Sequence, residues 1–175
     1  MDSIKFPLGP FVFEGHLSSS KRKEYILDIE VLPKRLELLV QSLATFQLET
    51  SYRSGGWTIN QIIHHLADSH MNMLIRLKLL LTEENPTIKP YQEALWAEMV
   101  DYSLPFNNSI TLLYTIHQKI TIILKSLNED AFLKTYFHPE YNRIVTLDEV
   151  IAMYSWHGKH HIAQIAGLMN REKWD

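Results

Sequence analysis

The sequence predicts an all-α protein, a four-helix bundle, and three observations agree on this fold class. Apolar residues recur at steps of three and four in four separate segments. Two of these segments begin with the sequence pattern of a capping box, and glycine or proline residues lie between segments. Alternation typical of strands never extends beyond a few residues. Long helices with short connections pack side by side, which indicates a bundle.

The first and third helices are predicted from their apolar repeats. Pro33, near the start of the first repeat, marks either a helix start or a kink. The third helix is expected to begin near Asn108 or Ser109. The apolar residues of the first are Leu32, Leu36, Leu39, Leu43 and Phe46, and those of the third are Leu113, Ile116, Ile120, Ile123 and Leu127.

The second and fourth helices are predicted from their caps. Thr58 can cap the second helix, with Gln61 completing the capping box, and its pattern runs to about Thr82. The segment 146–149 has the pattern of a second capping box, and the fourth helix is then expected to reach about Asn170. Between the second and third helices lies an insertion, residues 83–106, whose two X-Pro steps exclude a continuous helix. A short helix is expected within residues 91–99.

Composition limits the classes of function. At 175 residues and 46% apolar composition, residues 1–175 are expected to form a single domain. A net charge of −3 gives no electrostatic basis for nucleic-acid binding. No uninterrupted apolar stretch has the length of a signal peptide or membrane span, so we expect a cytoplasmic protein without membrane contact. With no cysteine, the chain has neither a thiolate ligand nor a cysteine nucleophile.

Six of the nine histidines lie in two stretches, residues 64–70 and 156–161. His157 and His161 continue the apolar stripe of the fourth helix one turn apart, which predicts two corners of a metal site. The alternative is a pair of interior histidines hydrogen-bonded to their neighbours. His160 falls on another face and is expected to be solvated. Gly158 occupies the place of the glutamate in the HExxH zinc proteases, so that general base is absent.

A third ligand is expected from the first stretch, where spacing alone does not choose among His64, His65 and His70. These three project in different directions around a helix and cannot all serve one ion. His65 shares a polar line with Asp68 and Arg76, which is either a solvated face or the wall of a polar cavity. Asp68 is then a hydrogen-bond acceptor for a ligand, a proton acceptor in catalysis, or a surface carboxylate. Arg76 either binds an anionic substrate or is a surface arginine.

Five segments together resemble the YfiT branch of the DinB superfamily, whose members are described as metal-dependent hydrolases. The segments are 52–58, 64–72, 81–99, 138–141 and 154–165. The resemblance implies a bundle with up-down-down-up connections, commonly a homodimer, and one divalent metal ion per chain, zinc or nickel. It also implies the ligand set His65, His157 and His161. One departure is Ser54, where the family usually has proline.

The resemblance and the predicted site together suggest three functions. The first is a hydrolase that activates water at the metal and acts on a small-molecule substrate. The second is a transferase that activates a low-molecular-weight thiol of the bacillithiol kind, and the absence of cysteine is compatible with it. The third is a non-catalytic metal-binding stress protein. In such a family the insertion 83–106 either covers the site or contributes to the dimer contact.

Overall fold

The computed structural model describes residues 3–174 and has four long helices, as predicted. Shorter elements connect them, including an antiparallel pair of strands before the last helix. In chain order the elements are α1 (Ser19–Val40), α2 (Thr45–Leu48), α3 (Ile59–Thr82), α4 (Glu93–Trp96), α5 (Asn107–Ser126), β1 (Thr135–His138), β2 (Arg143–Thr146) and α6 (Leu147–Glu172). The short helix predicted in the insertion is α4.

Helix α1 shows how the chain tolerates a proline in a helix interior. Pro33 lies well inside α1, so it does not mark the start of the helix. Proline has no N–H to donate to the carbonyl of Ile29, four residues earlier. His117 of α5 replaces the missing hydrogen bond, because its Nδ1 donates to the Ile29 carbonyl. The predicted repeat also extended too far, because α1 ends at Val40.

The predicted starts of α3 and α6 are correct, but one of the two capping boxes is incomplete. At the start of α3, Thr58 accepts a hydrogen bond from the backbone of Gln61, and the Gln61 side chain accepts from the backbone of Thr58. At the start of α6, Thr146 accepts from the backbone of Glu149 at 3.2 Å. The Glu149 carboxylate pairs with Arg143 of β2 instead of turning back to the cap. An ion pair between charged groups outcompetes the weaker bond to a backbone amide.

Contacts between named residues fix the helix directions. Helix α1 packs against α5 and α6, and α3 packs against the same two helices. Where the residue numbers of two contacting helices rise together, the helices are parallel, and where one rises as the other falls, they are antiparallel. By this criterion α1 is parallel to α6, α3 is parallel to α5, and α3 is antiparallel to α6. The contacting pairs are Arg22–Asp148 and Asp28–Ser155, His64–Ser109 and His70–His117, and His65–His157 and Ser69–Tyr154. The connections are therefore up, down, down, up.

The buried histidines lie between two apolar clusters of the bundle. One cluster contains Met73 and Tyr154, and the other contains Leu66 and Ile165. Along α3 and α6, the polar residues come between the levels of these clusters. The apolar clusters on both sides hold the buried histidines in place. Within residues 3–174, no helix combines the length and apolar character needed to cross a membrane.

Candidate metal centre and cleft

Three imidazole nitrogens converge between α3 and α6. The Nε2 atom of His157 lies 3.2 Å from Nε2 of His65 and 3.2 Å from Nε2 of His161. Three nitrogens on a tetrahedral zinc ion, each about 2.0–2.1 Å from the metal, would be about 3.3 Å apart. The three histidines therefore fit a divalent ion that imidazole binds, such as zinc or nickel.

The electrostatics of the three histidines suit metal binding. Burial lowers the pKa of each imidazole well below its ordinary value, and neighbouring histidines lower it further. The rings are therefore neutral near pH 7, and neutral imidazole is the form that binds a metal.

Gln164 fixes the tautomer of His161. The Nδ1 of His161 donates to the Gln164 side-chain oxygen at 2.8 Å, which leaves Nε2 free to face the site. The amide nitrogen of Gln164 lies 2.9 Å from the carbonyl of Lys5 and 2.9 Å from Nε2 of His160. Sequence reasoning missed Gln164, although its position three residues after His161 on one helix face was a usable signal.

His70 supports His157 from the interior. Its Nε2 lies 3.5 Å from Nδ1 of His157, and its ring stacks on His117 with centroids 4.7 Å apart. His70 is thus a buried histidine behind the site, and it contacts a predicted ligand. The sequence carried no signal for this contact, because it depends on how α3, α5 and α6 pack together.

His65 is held by a different kind of contact. Its ring packs on Trp57 with centroids 4.5 Å apart, and its Nδ1 is buried without a hydrogen-bond partner in the described part of the chain. Asp68, predicted as an acceptor for a ligand or as a base, instead accepts a hydrogen bond from Tyr102 at 2.8 Å. Burial raises the pKa of the Asp68 carboxyl. The catalytic role of Asp68 stays a prediction, and its contacts favour a structural role.

The neighbouring histidines have other partners. His64 contacts Ser109 at 2.7 Å and the Leu104 carbonyl at 3.0 Å, so it faces α5. The expectation that His160 is solvated was wrong: it is 6% exposed and stacks on Trp156. The reason is the N-terminal segment, where Phe6 packs near the His160 ring.

Packing against α1 explains why glycine, and not glutamate, occupies position 158. A Cβ atom there would lie 2.7 Å from Cδ2 of Leu32 in α1. The helix therefore approaches α1 too closely for a larger side chain. The general base of the HExxH proteases cannot be placed here without moving the Leu32 side chain.

The three histidines line a cleft of about 450 Å³. The polar residues of α3 face two different parts of the molecule. His65, Ser69 and Arg76 line the cleft, whereas Gln61 and Asp68 are hydrogen-bonded to the insertion. The insertion also borders the cleft through Tyr91 and Glu93, and so covers part of the site. The remaining wall is formed mainly by the N-terminal segment, the turn before α3, the strand connection and α6; its aromatic residues include Phe6, Tyr52, Trp57, Tyr141, Tyr154 and Trp156.

Comparisons with known proteins agree with this geometry. The model of the DinB superfamily matches residues 28–165. A protein of Oceanobacillus iheyensis named "putative metal-dependent hydrolase" is 48% identical over 97% of this chain and 98% of its own length. A Bacillus cereus protein of the same name is 42% identical over 99% of this chain and all of its own length.

A solved structure has the same architecture. YfiT from Bacillus subtilis, described as "a probable metal-dependent hydrolase with an unusual four-helix bundle topology", superposes with a TM-score of 0.96. It is 38% identical, and the alignment covers 99% of each chain. The family match over most of the length, the close relatives and this shared topology lead to one conclusion: the chain belongs to the DinB superfamily.

Proposed function

We propose that this protein is a metal-dependent hydrolase that acts on a small-molecule substrate. The observation that carries the proposal is the convergence of three neutral imidazole nitrogens, from His65, His157 and His161, at the wall of a cleft. When a divalent ion such as zinc or nickel is bound, it supplies Lewis acidity and makes water a nucleophile near neutral pH. The names of the close relatives support the same class of reaction.

The chain's own residues orient the site and limit water around it. Gln164 keeps the proton of His161 on Nδ1, so that Nε2 presents its lone pair. Trp57 packs against the ring of His65 and lies near that of His161, which restricts both imidazoles. Tyr154 lies behind His157 and donates its hydroxyl proton to the Ser69 carbonyl at 3.2 Å. These contacts preorganise the ligands before a substrate arrives.

Thiol transfer is the second candidate function. The chain contains no cysteine, so a thiolate at this site must come from a co-substrate such as a low-molecular-weight thiol. A cleft of about 450 Å³ lies within the volume range of small-molecule sites, which leaves room for a thiol beside a second substrate. The third interpretation, a non-catalytic metal-binding stress protein, is disfavoured by the polar residues of α3 that face the cleft.

The two activities separate in one experiment. Zinc-loaded and nickel-loaded protein is assayed for ester hydrolysis and for conjugation of an electrophile, each with and without an added thiol. We expect thiol-independent hydrolysis that is lost in His161→Ala and retained in His64→Ala, whose histidine faces α5. Turnover only with thiol would replace hydrolysis by transfer, and metal-loaded protein inactive in every arm would favour the non-catalytic interpretation.

We also propose that the protein forms a homodimer. The insertion carries exposed apolar side chains, Leu95, Met99 and Val100, that would gain from burial at a subunit contact. Light scattering measures the mass in solution. A monomer at micromolar concentration would contradict this part of the proposal.

A further inference from the structure

Arg76 is a buried guanidinium without an acidic partner. It is 9% exposed and lines the cleft. Among the carboxylates of residues 3–174, none forms an ion pair with it, and no aromatic ring of that range holds it in a cation–π contact. Its Nη2 donates to the Lys89 carbonyl at 3.2 Å and its side chain is also hydrogen-bonded to the Tyr154 hydroxyl, whereas its Nε is buried without a hydrogen-bond partner among residues 3–174. Buried charges are normally paired, so a partner from outside the chain is indicated.

The distance between Arg76 and the three histidines indicates how long a bound molecule must be to reach both. Arg76 follows His65 by eleven residues on α3, about 16 Å along the helix axis. Helical side chains lean toward the N-terminus, so its guanidinium lies back toward the histidines. Tyr154 lies between them: its ring centroid is 6.1 Å from that of His157, and its hydroxyl is hydrogen-bonded to the Arg76 side chain. The guanidinium is therefore on the order of 10 Å from the three nitrogens.

Neutral hydroxyl groups surround the guanidinium. Tyr91, Tyr141 and Tyr154 line the cleft. The Tyr154 hydroxyl donates to the Ser69 carbonyl, so Tyr91 and Tyr141 are the remaining phenol donors; burial raises the pKa of both, and both keep their protons at pH 7. Phenol hydroxyls donate hydrogen bonds to anions. The acidic residues of the cleft, Glu93 and Glu140, are exposed, where water screens their repulsion of an anion. The buried part of this end of the cleft is thus positive and the exposed part is negative.

We propose that Arg76 is the anion-recognition residue of the cleft, and that the substrate carries a carboxylate or a phosphate on the order of 10 Å from the reacting bond. The inference rests on the proposed function only for the position of the reacting bond. Guanidinium binds both anions through paired N–H groups, so the residues name the shared chemistry and the test separates the two.

The test titrates glutarate and inorganic phosphate into zinc-loaded protein by calorimetry. We expect one of these anions to bind the wild-type protein and Arg76→Gln to weaken its binding about 10- to 100-fold, the loss of one charged hydrogen-bonding group. Lys78→Gln, an exposed cation two residues further along α3, is the matched control and should leave binding unchanged. Absence of binding to the wild-type protein, or equal binding to Arg76→Gln, would overturn the proposal.

A stability measurement separates anion recognition from a structural role. Arg76→Leu removes an unpaired buried charge, so in anion-free buffer its urea midpoint should equal or exceed that of the wild-type protein. A lowered midpoint or loss of folding would identify Arg76 as structural and overturn the proposal. Zinc content is measured on the same samples. Anion binding through Arg76 without zinc uptake would refute the proposed hydrolase alone, and zinc uptake without anion binding would refute this subsite alone.

Discussion

Replacing Gln164 by leucine should weaken metal binding while the bundle stays folded. The side-chain oxygen of Gln164 accepts the Nδ1 proton of His161 at 2.8 Å. Without that acceptor, His161 can carry its proton on Nε2 and direct it to Nε2 of His157, 3.2 Å away. The metal must then displace this hydrogen bond and restore the other tautomer.

The expected loss follows from such hydrogen bonds at metal sites. Removing the partner of a ligating histidine costs about 10- to 100-fold in metal affinity, or about 1.4–2.7 kcal/mol. The metal-free protein should also lose about 1–3 kcal/mol of unfolding free energy if the Nδ1 proton stays buried without an acceptor. Competition for zinc with a chromophoric chelator measures the affinity, and urea unfolding measures the stability.

Gln164→Glu is the matched control, because a carboxylate also accepts the Nδ1 proton. Its zinc affinity should equal or exceed that of the wild-type protein, since a charged acceptor strengthens the bond to a ligating histidine. It loses the amide donor that lies 2.9 Å from the Lys5 carbonyl, so a decrease in stability is expected. If Gln164→Leu binds zinc as tightly as the wild-type protein, Gln164 does not act through His161 and the reasoning fails.

Two further predictions concern the bundle that supports the site. Burial lowers the pKa of His117 to about 4, below its ordinary value in the unfolded chain, so the unfolded state takes up the proton first. The free energy of unfolding of the metal-free protein should therefore fall by about 2 kcal/mol between pH 7 and pH 5 because of this histidine. His117→Gln should reduce the pH dependence of urea unfolding by that amount. An unchanged pH dependence in this variant would contradict the burial effect. Gly158→Ala should cost about 1–2 kcal/mol by urea unfolding, because the added methyl meets Leu32 at 2.7 Å and overpacking outweighs the better helix propensity. Gly167→Ala, in the same helix and in ordinary contact with Arg171 at 3.5 Å, should gain up to about 1 kcal/mol, and a gain in both variants would contradict the close packing of α1 on α6.

Local sequence signals predicted the helices and two members of the site. The caps at Thr58 and Thr146 specify where α3 and α6 begin, because their hydroxyls bind backbone amides only three residues away. The period of an α-helix then placed His157 and His161 on one inward face. These inferences succeeded because each depends on residues close together in the chain.

Features that depend on packing between distant segments could not be predicted from local sequence signals. The choice of His65 needed the family resemblance, because its neighbour His64 is buried as well and differs only in facing α5. The contact between His117 and the Ile29 carbonyl depends on how α5 packs against α1. His160 was assigned to solvent because helical period shows which face a residue occupies, but not that the N-terminal segment covers that face.

The metal content of purified protein tests the central claim most directly. Untagged wild-type protein, His161→Ala and His64→Ala are loaded with zinc or nickel, desalted and measured by elemental mass spectrometry, with urea unfolding as the check on folding. We predict one ion per chain in the wild-type protein and in His64→Ala, and no stoichiometric metal in a cooperatively folded His161→Ala. Folded wild-type protein that takes up neither metal, or a His161→Ala variant that keeps a full equivalent, would contradict the three-histidine site.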